Sequence, residues 1–541
     1  MNYAIQILHN GNIITQAEDG LAEAVAIGDD GRILAVGSNV EVLNLAVAGT
    51  KKIDLNGKTL IPGFFDCHLH LIWLGQNLGH VDLSSPPVKD KGDILRLLAE
   101  RLNENPNGAY LEGNRYDQNK LPDGKHLTRH DLDRVSTEIP VRIVHTSGHA
   151  AVVNSKALAL LEINLSTENP VGGEIERDER GEPTGVLLES ASWNNLERIQ
   201  PETTILDAVA ALSRANDYLL KLGITSASDA NTPPGMVEAY TTAVFQDALQ
   251  IRVNSMIGWQ EVIDHSETGQ VPRPDDLQPA GVPFARYHVG QAKLFSDGAI
   301  TTRTCWLKQP FEGTSDSYGI AMHSEEQLRE YILKAHVAGW QIATHAIGDK
   351  AVDVVLTAYA EAQRQQTRTY PGHRIEHCML LDKDLIARLR RQKVWSIGQP
   401  EFISGLGDAY LTALGEERAL RLSPYATLEA QNVAQAFSSD CPVVPGSPLA
   451  GMRAAIERKT PKGYILNPAE RVSAELALTA YTNSPAFATR TDRNRGSIEV
   501  GKLADFTLLS SNPLSTPIDE WERVQVVATI VDGECLYGNL E

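Results

Sequence analysis

Apolar residues fall along this chain in two rhythms. Near both ends they alternate with polar ones: AIQILHNGNIIT (4–15), AEAVAIGDDGRILAVG (22–37), KKIDLNGKTLIPG (51–63), then GSIEVGKLADFTLLSS (496–511) and VVATIVDGECLYG (526–538). A period of two predicts strands with one buried face, and HNGN and DDGR carry the turn chemistry of hairpins between them. Through the middle, short apolar runs are separated by helical patterns such as SEEQLREYILKAHVAG (324–339) and DKDLIARLRRQ (382–392). The runs are LIPGFFDCH (60–68), LGITSASD (222–229), QIRVNSMIG (250–258), HVGQAKLFSDG (288–298), WQIATHAIGD (340–349), HRIEHCML (373–380), KVWSIGQPE (393–401) and AQAFSSDCP (434–442). That rhythm predicts an α/β fold built on a parallel sheet. Eight such strands predict a (β/α)8 TIM-type barrel, whose sites gather at the C-terminal strand ends.

The stretch between the first two runs is far longer than an ordinary connection, and GGEIERDERGEPTG (172–185) inside it reads as a hairpin. An insertion subdomain or lid at about 80–200 is therefore expected near the barrel mouth. The expected organisation is residues 1–60 as the first half of a small β-sandwich, 61–489 as the barrel with its insertion, and 490–541 as the second half.

Composition narrows the class. The 541 residues are 42% apolar and 22% charged, with a formal net charge of −20, so no basic footprint for nucleic acid is present. No apolar run reaches the ~18–20 residues of a membrane span. The opening MNYAIQILHNGNIIT lacks the basic start and apolar core of a signal peptide. Five cysteines make no disulfide framework. Cys67, Cys378 and Cys441 each adjoin a candidate ligand, and on a strand such a neighbour faces the opposite way, into packing. The expectation is a cytoplasmic protein acting on a small molecule, with a homodimer as the commonest symmetric assembly.

Polar groups recur at the predicted strand ends. His68 and His70 close the first run, Lys293 lies in QAKLFSDG, His345 in IATHAIGD, His377 in RIEHC and Asp440 in FSSDCPV. Residues i and i+2 share a strand face, so His68 and His70 can converge on one ion. Burying any of these groups unpaired costs several kcal/mol. Together they offer the imidazole and carboxylate donors that zinc takes.

These motifs resemble those of the amidohydrolase superfamily. PGFFDCHLH is similar to its Pro-Gly-x-x-Asp-x-His-x-His signature, and the likeness continues through KLFSDG, THAIGD, RIEHC, SSDCPV and GSIEVGKLADF. It is nearest the amidohydrolase-3-type branch that includes N-substituted formamide deformylase. The resemblance implies one or two divalent ions, zinc first among them. His68, His70 and Asp440 would hold one, and His345 and His377 the other. An N6-carboxylated Lys293 would bridge them. It implies hydrolysis of a non-peptide C–N bond, of amide or N-substituted formamide type, with Asp440 as general acid and base. Deamination, cyclic-amide hydrolysis, isomerisation on the same centre and a non-catalytic scaffold are the alternatives. The chain departs from the branch in AITTRTC, which keeps Arg303 and Thr304, and in GNRYD, where Tyr116 stands before Asp117 in place of a tryptophan. Tyr116, Asp117, His149, Arg303 and Trp306 are the candidate substrate-binding residues, with Trp73 a further pocket wall.

Overall fold

Eight parallel strands carry the middle of the chain in the computed structural model, which describes residues 3–18, 20–105, 108–264 and 271–540. They are β1 (Phe64–Leu69), β2 (Ile224–Thr232), β3 (Arg252–Gly258), β4 (Tyr287–Phe295), β5 (Gln341–Ala346), β6 (Arg374–His377), β7 (Trp395–Gly398) and β8 (Gln435–Phe437). Each pairs with its sequence neighbour. Beyond β8 the ring is drawn together by two backbone bonds, Asp440 N–H to the His68 carbonyl and His70 N–H to the Cys441 carbonyl, both 2.8 Å. The result is a nearly closed parallel barrel of the TIM type. Each of the eight predicted runs overlaps one of these strands, and the two helical patterns form helices Glu325–Val337 and Lys383–Gln392.

The first run is two strands, not one. Thr59–Pro62 pairs with Phe506–Leu509 and with Asn12–Ile14, and only after Gly63 does the chain enter β1. Gly63 permits the change because a Cβ there would come within 2.1 Å of the Thr225 hydroxyl. HNGN also differs from expectation. Ala4–His9 pairs with Ala24–Gly28 and Ala46–Asp54, whereas Asn12–Ile14 joins the other sheet, so the turn passes the chain between sheets instead of folding a hairpin. Asn10 is left-handed there, at φ 55°. DDGR does join an antiparallel pair, Ala24–Gly28 with Ile33–Gly37. The four-stranded and six-stranded sheets from the chain ends share an apolar cluster that includes Leu8, Ile27, Leu60, Phe506 and Ile530.

Between β1 and β2 a further six-stranded sheet is built from Val81–Asp82, Leu111–Tyr116, Val141–His145, Ala150–Val153, Gly173–Arg177 and Pro183–Glu189. Its last two strands form the hairpin expected from GGEIERDERGEPTG. It docks on the barrel's loops: Thr146 Oγ1 donates to the Val443 carbonyl (2.8 Å), and the Gln118 and Asn119 amides reach the Thr301 carbonyl (3.4 Å each).

Inside the barrel the layers change character upward. Asn254, Ser228, Gln291 and Gln341 join in one hydrogen-bonded layer. Ala230, Met256 and Ala343 pack together as a small apolar cluster. The ionisable residues lie toward the C-terminal strand ends, where the barrel geometry places reactive groups.

Candidate metal centre

Strand register assembles the site. In β4 and β5 Lys293 pairs with Ala343 and Phe295 with His345, and in β5 and β6 His345 pairs with Glu376. Partners across a parallel ladder share a face, so Glu376, not His377, follows the inward alternation. The backbone then turns: His377 has φ 69° and Cys378 φ 48°. This left-handed pair lets two adjacent side chains reach the interior, and such strain collects at functional sites. Asp440, just after β8, is also left-handed, at φ 58°.

Three groups form a tight cluster. Asp440 Oδ1 lies 3.3 Å from His68 Nε2 and 3.1 Å from His70 Nε2. The ligand atoms of the three residues lie within 4.8 Å of one another. His68 Nδ1 bonds to the Glu376 carboxylate, which Arg374 grips through Nε at 2.5 Å and Nη2 at 2.8 Å. In the tautomer whose Nδ1–H bonds to Glu376, His68 turns a lone pair from Nε2 toward a carboxylate oxygen. Two acceptors face each other, an arrangement that a cation between them would satisfy.

His377 sits against this cluster, its ring 4.9 Å from that of His68 and 4.4 Å from that of His345. Its Nδ1 donates to Gln399 Oε1 at 2.8 Å, leaving Nε2 as the lone-pair nitrogen. His345 is held the other way round: Nε2 lies 3.2 Å from the Gly298 carbonyl and 3.4 Å from Asp297 Oδ1, which frees Nδ1. Carboxylate and carbonyl partners on the far nitrogen are what orient metal-binding imidazoles. Lys293 is buried, its amine 4.7 Å from the Phe295 ring centre, and Nζ has no hydrogen-bond partner. An orphaned buried amine and facing acceptors make a donor set that fits divalent metal.

Burial sets the electrostatics. It brings the Lys293 amine down to about 8, against the pull of Glu376 and Asp440. Burial and mutual repulsion hold His345 well below its usual range, and burial lowers His377 to about 3. For Asp440 burial acts upward, yet the neighbouring His68 and His70 rings outweigh it and hold the carboxyl far below normal. Glu376 behaves likewise, with Arg374 and His68 overcoming burial. His345 and His377 are therefore held neutral and Asp440 and Glu376 charged, the protonation states of a metal site.

The remaining candidates are distributed around the mouth and the insertion. His149 reaches in from the insertion, its ring 5.1 Å from that of His345. Burial would lower it, but Glu189, whose carboxylate lies 2.7 Å from Nδ1, raises it overall. Trp73 stands 5.6 Å from the His70 ring, with Gly148 of the insertion against it. Asp117 caps the turn Gln118–Lys120 and lies 3.5 Å from His145. Tyr116 is buried in the insertion's own apolar core, its hydroxyl bonded to His126. Arg303 turns outward to the Glu312 carbonyl (3.2 Å), and Trp306 donates its backbone N–H to Asp297 (2.8 Å). Cys67, Cys378 and Cys441 pack in apolar clusters with their thiols raised by burial, the packing role expected of them, although only Cys67 lies within a strand and owes it to alternation.

Sequence reasoning left Glu376, Gln399, Asp297 and Glu189 unassigned. The first three lie inside the quoted runs, and of these only Glu376 stands beside a candidate ligand, His377. Glu189 had no local signal.

Comparison with known proteins agrees with this geometry. Residues 51–537 match the model of the Amidohydrolase family. The N-substituted formamide deformylase of Arthrobacter pascens is 31% identical over 98% of this chain and 97% of its own length. An uncharacterised metal-dependent hydrolase from Pyrococcus horikoshii OT3 superposes with a TM-score of 0.75 at 28% identity, over 95% of this chain and 99% of that one. Its counterpart from Pyrococcus furiosus gives 0.72 at 30% identity, over 94% and 100%.

Proposed function

The chain belongs to the amidohydrolase family, and from that premise we propose that its metal-dependent hydrolysis is directed at a non-peptide C–N bond of amide or N-substituted formamide type. The observation that carries this reading is the Asp440 carboxylate lying among imidazoles whose far nitrogens are already bonded.

In this reading His68, His70 and Asp440 hold one ion, while His345 and His377 hold a second. Lys293 would carry an N6-carboxylate, formed when its neutral amine attacks carbon dioxide and sheds a proton, and would supply oxygen to both. Burial prepares this by lowering the amine to about 8. A bound divalent metal, zinc by the donor set, supplies a lowered water pKa and polarises the acyl oxygen. Asp440 accepts the proton of the attacking water and returns it to the departing nitrogen. Glu376 and Gln399 keep His68 and His377 in one tautomer throughout. Trp73, from the helix after β1, and His149, from the docked insertion, would wall the mouth.

Asp440→Asn should remove this proton carrier with little change of shape. The expected loss is at least ~10²-fold in kcat on a panel of alkyl and aryl formamides and acetamides. Metal content at saturating metal, measured by plasma emission, should stay near that of the parent. Full activity in Asp440→Asn would remove Asp440 from the role. A parent that hydrolyses no member of the panel, with metal bound, would favour a deaminase, cyclic-amide hydrolase or isomerase.

A further inference from the structure

The insertion sends one hydrogen-bonded His–Glu pair into the mouth. His149 stands just before the strand Ala150–Val153 and Glu189 ends its partner Pro183–Glu189, joined by Glu189 N–H donating to the His149 carbonyl at 2.9 Å and by the 2.7 Å contact between Nδ1 and the carboxylate. Glu189 is wholly buried and backbone-strained, at φ 49° and ψ −129°. Its second oxygen, Oε1, has no hydrogen-bond partner and presses on Gly298, where a Cβ would come within 2.0 Å of it. Gly298 is the residue whose carbonyl faces His345 Nε2. The insertion pair thus abuts the loop that orients a candidate ligand.

A buried ion pair adds little to stability compared with apolar packing of similar volume. Here it also brings a backbone outlier and an unsatisfied oxygen, two costs that a purely structural contact would not need. What it secures is the aim of one ring. Nδ1 is taken by Glu189, the ring lies between Trp193 (5.6 Å) and His345 (5.1 Å), and among the described residues Nε2 has no hydrogen-bond partner.

We propose that Glu189 is a positioning residue that fixes the His149 ring so that Nε2–H is presented to the acyl oxygen of the substrate as charge develops on it. The inference rests on the hydrolase reading above and adds to it a hydrogen-bond donor supplied by the insertion. Withdrawal of the insertion would take that donor away, so hydrolysis requires the docked arrangement. Preorganised donors aimed at a developing oxyanion act on kcat more than on substrate binding.

The test uses the metal-loaded full chain with Glu189→Gln, Glu189→Asp, Glu189→Ala, His149→Gln and the double variant Glu189→Gln/His149→Gln. With N-benzylformamide, or whichever panel amide the parent hydrolyses, kcat should fall about 10–100-fold in Glu189→Gln while KM stays within about threefold. Glu189→Asp should recover part of that loss. The double variant should be no slower than His149→Gln alone, since the two residues act as a unit. Losses that multiply, or a change confined to KM, would overturn the proposal. Crystal structures provide a readout independent of turnover: in Glu189→Ala the His149 ring should leave its place beside His345 while His68, His70 and Asp440 keep theirs. An unmoved ring would overturn the positioning role. An inactive parent with a displaced His149 ring would instead refute the amide-hydrolase reading and leave the positioning role standing.

Discussion

Three histidines of the centre are each held through one nitrogen so that the other is free: His68 by Glu376, His377 by Gln399 and His345 by the Gly298 carbonyl. These contacts set tautomers before any ion arrives, which lowers the ordering cost of binding it. Gln399 is well suited to its place, since its amide also donates to Ser438 at 2.9 Å, which fixes Oε1 toward His377. Gln399→Ala should therefore weaken metal binding by about 10–100-fold, read by competition with a chromogenic chelator, with activity largely restored at saturating metal. Unchanged affinity would mean that the ring is oriented by packing alone. The adjacent pair Glu376 and His377 shows what a sequence conceals at this scale. Alternation allows only one of two neighbours to face inward, and the left-handed backbone at His377 and Cys378 that admits both has no residue signature, since neither is glycine.

At the scale of elements, the predicted runs were legible because a buried parallel strand is largely apolar, and five of the eight carry a candidate ligand in or just after them. The break at Gly63 was not. Leu60 and Phe64 are equally apolar and buried, although they belong to different sheets, so hydropathy has nothing to register. HNGN misled for a related reason: Asn-Gly chemistry specifies a left-handed turn, not which strand receives the chain afterwards. Glu189 lies 40 residues from His149 and meets it only through sheet pairing. Helix packing is another such case. The helix Leu71–Asn77, which starts at His70, rests on Ile205–Lys221 at Gly75, where a Cβ would come within 1.9 Å of the Ala211 carbonyl oxygen. Gly75→Ala should cost about 1–3 kcal/mol of stability, measured by denaturant unfolding. It should also loosen metal binding, because the displaced helix carries His70. A neutral substitution would show that the two helices part freely.

For the whole molecule, burial of carboxyl groups gives stability a definite pH dependence. Glu401, at the start of the helix after β7, accepts the Gly446 N–H at 3.0 Å and is pushed up to about 7, chiefly by burial. Unfolded, it releases its proton near 4.5. Between these values the folded state holds the extra proton, so this group's contribution to stability falls as pH rises from 4.5 to about 7 and is level beyond. Glu401→Gln should remove that slope. The variant should match the parent near pH 4 and exceed it at pH 8 by on the order of 2 kcal/mol, read from urea midpoints at both values. Parallel profiles would contradict the burial argument.

The central claim is that side chains from five strand ends meet around bound cations. Anomalous diffraction at the zinc edge, from crystals grown with zinc and bicarbonate, tests it most directly. One peak should lie within coordination distance of His68, His70 and Asp440 and a second beside His345 and His377, with continuous density from Lys293 Nζ toward both. Zinc peaks elsewhere on the chain, with none at His68, His70 and Asp440, would contradict it.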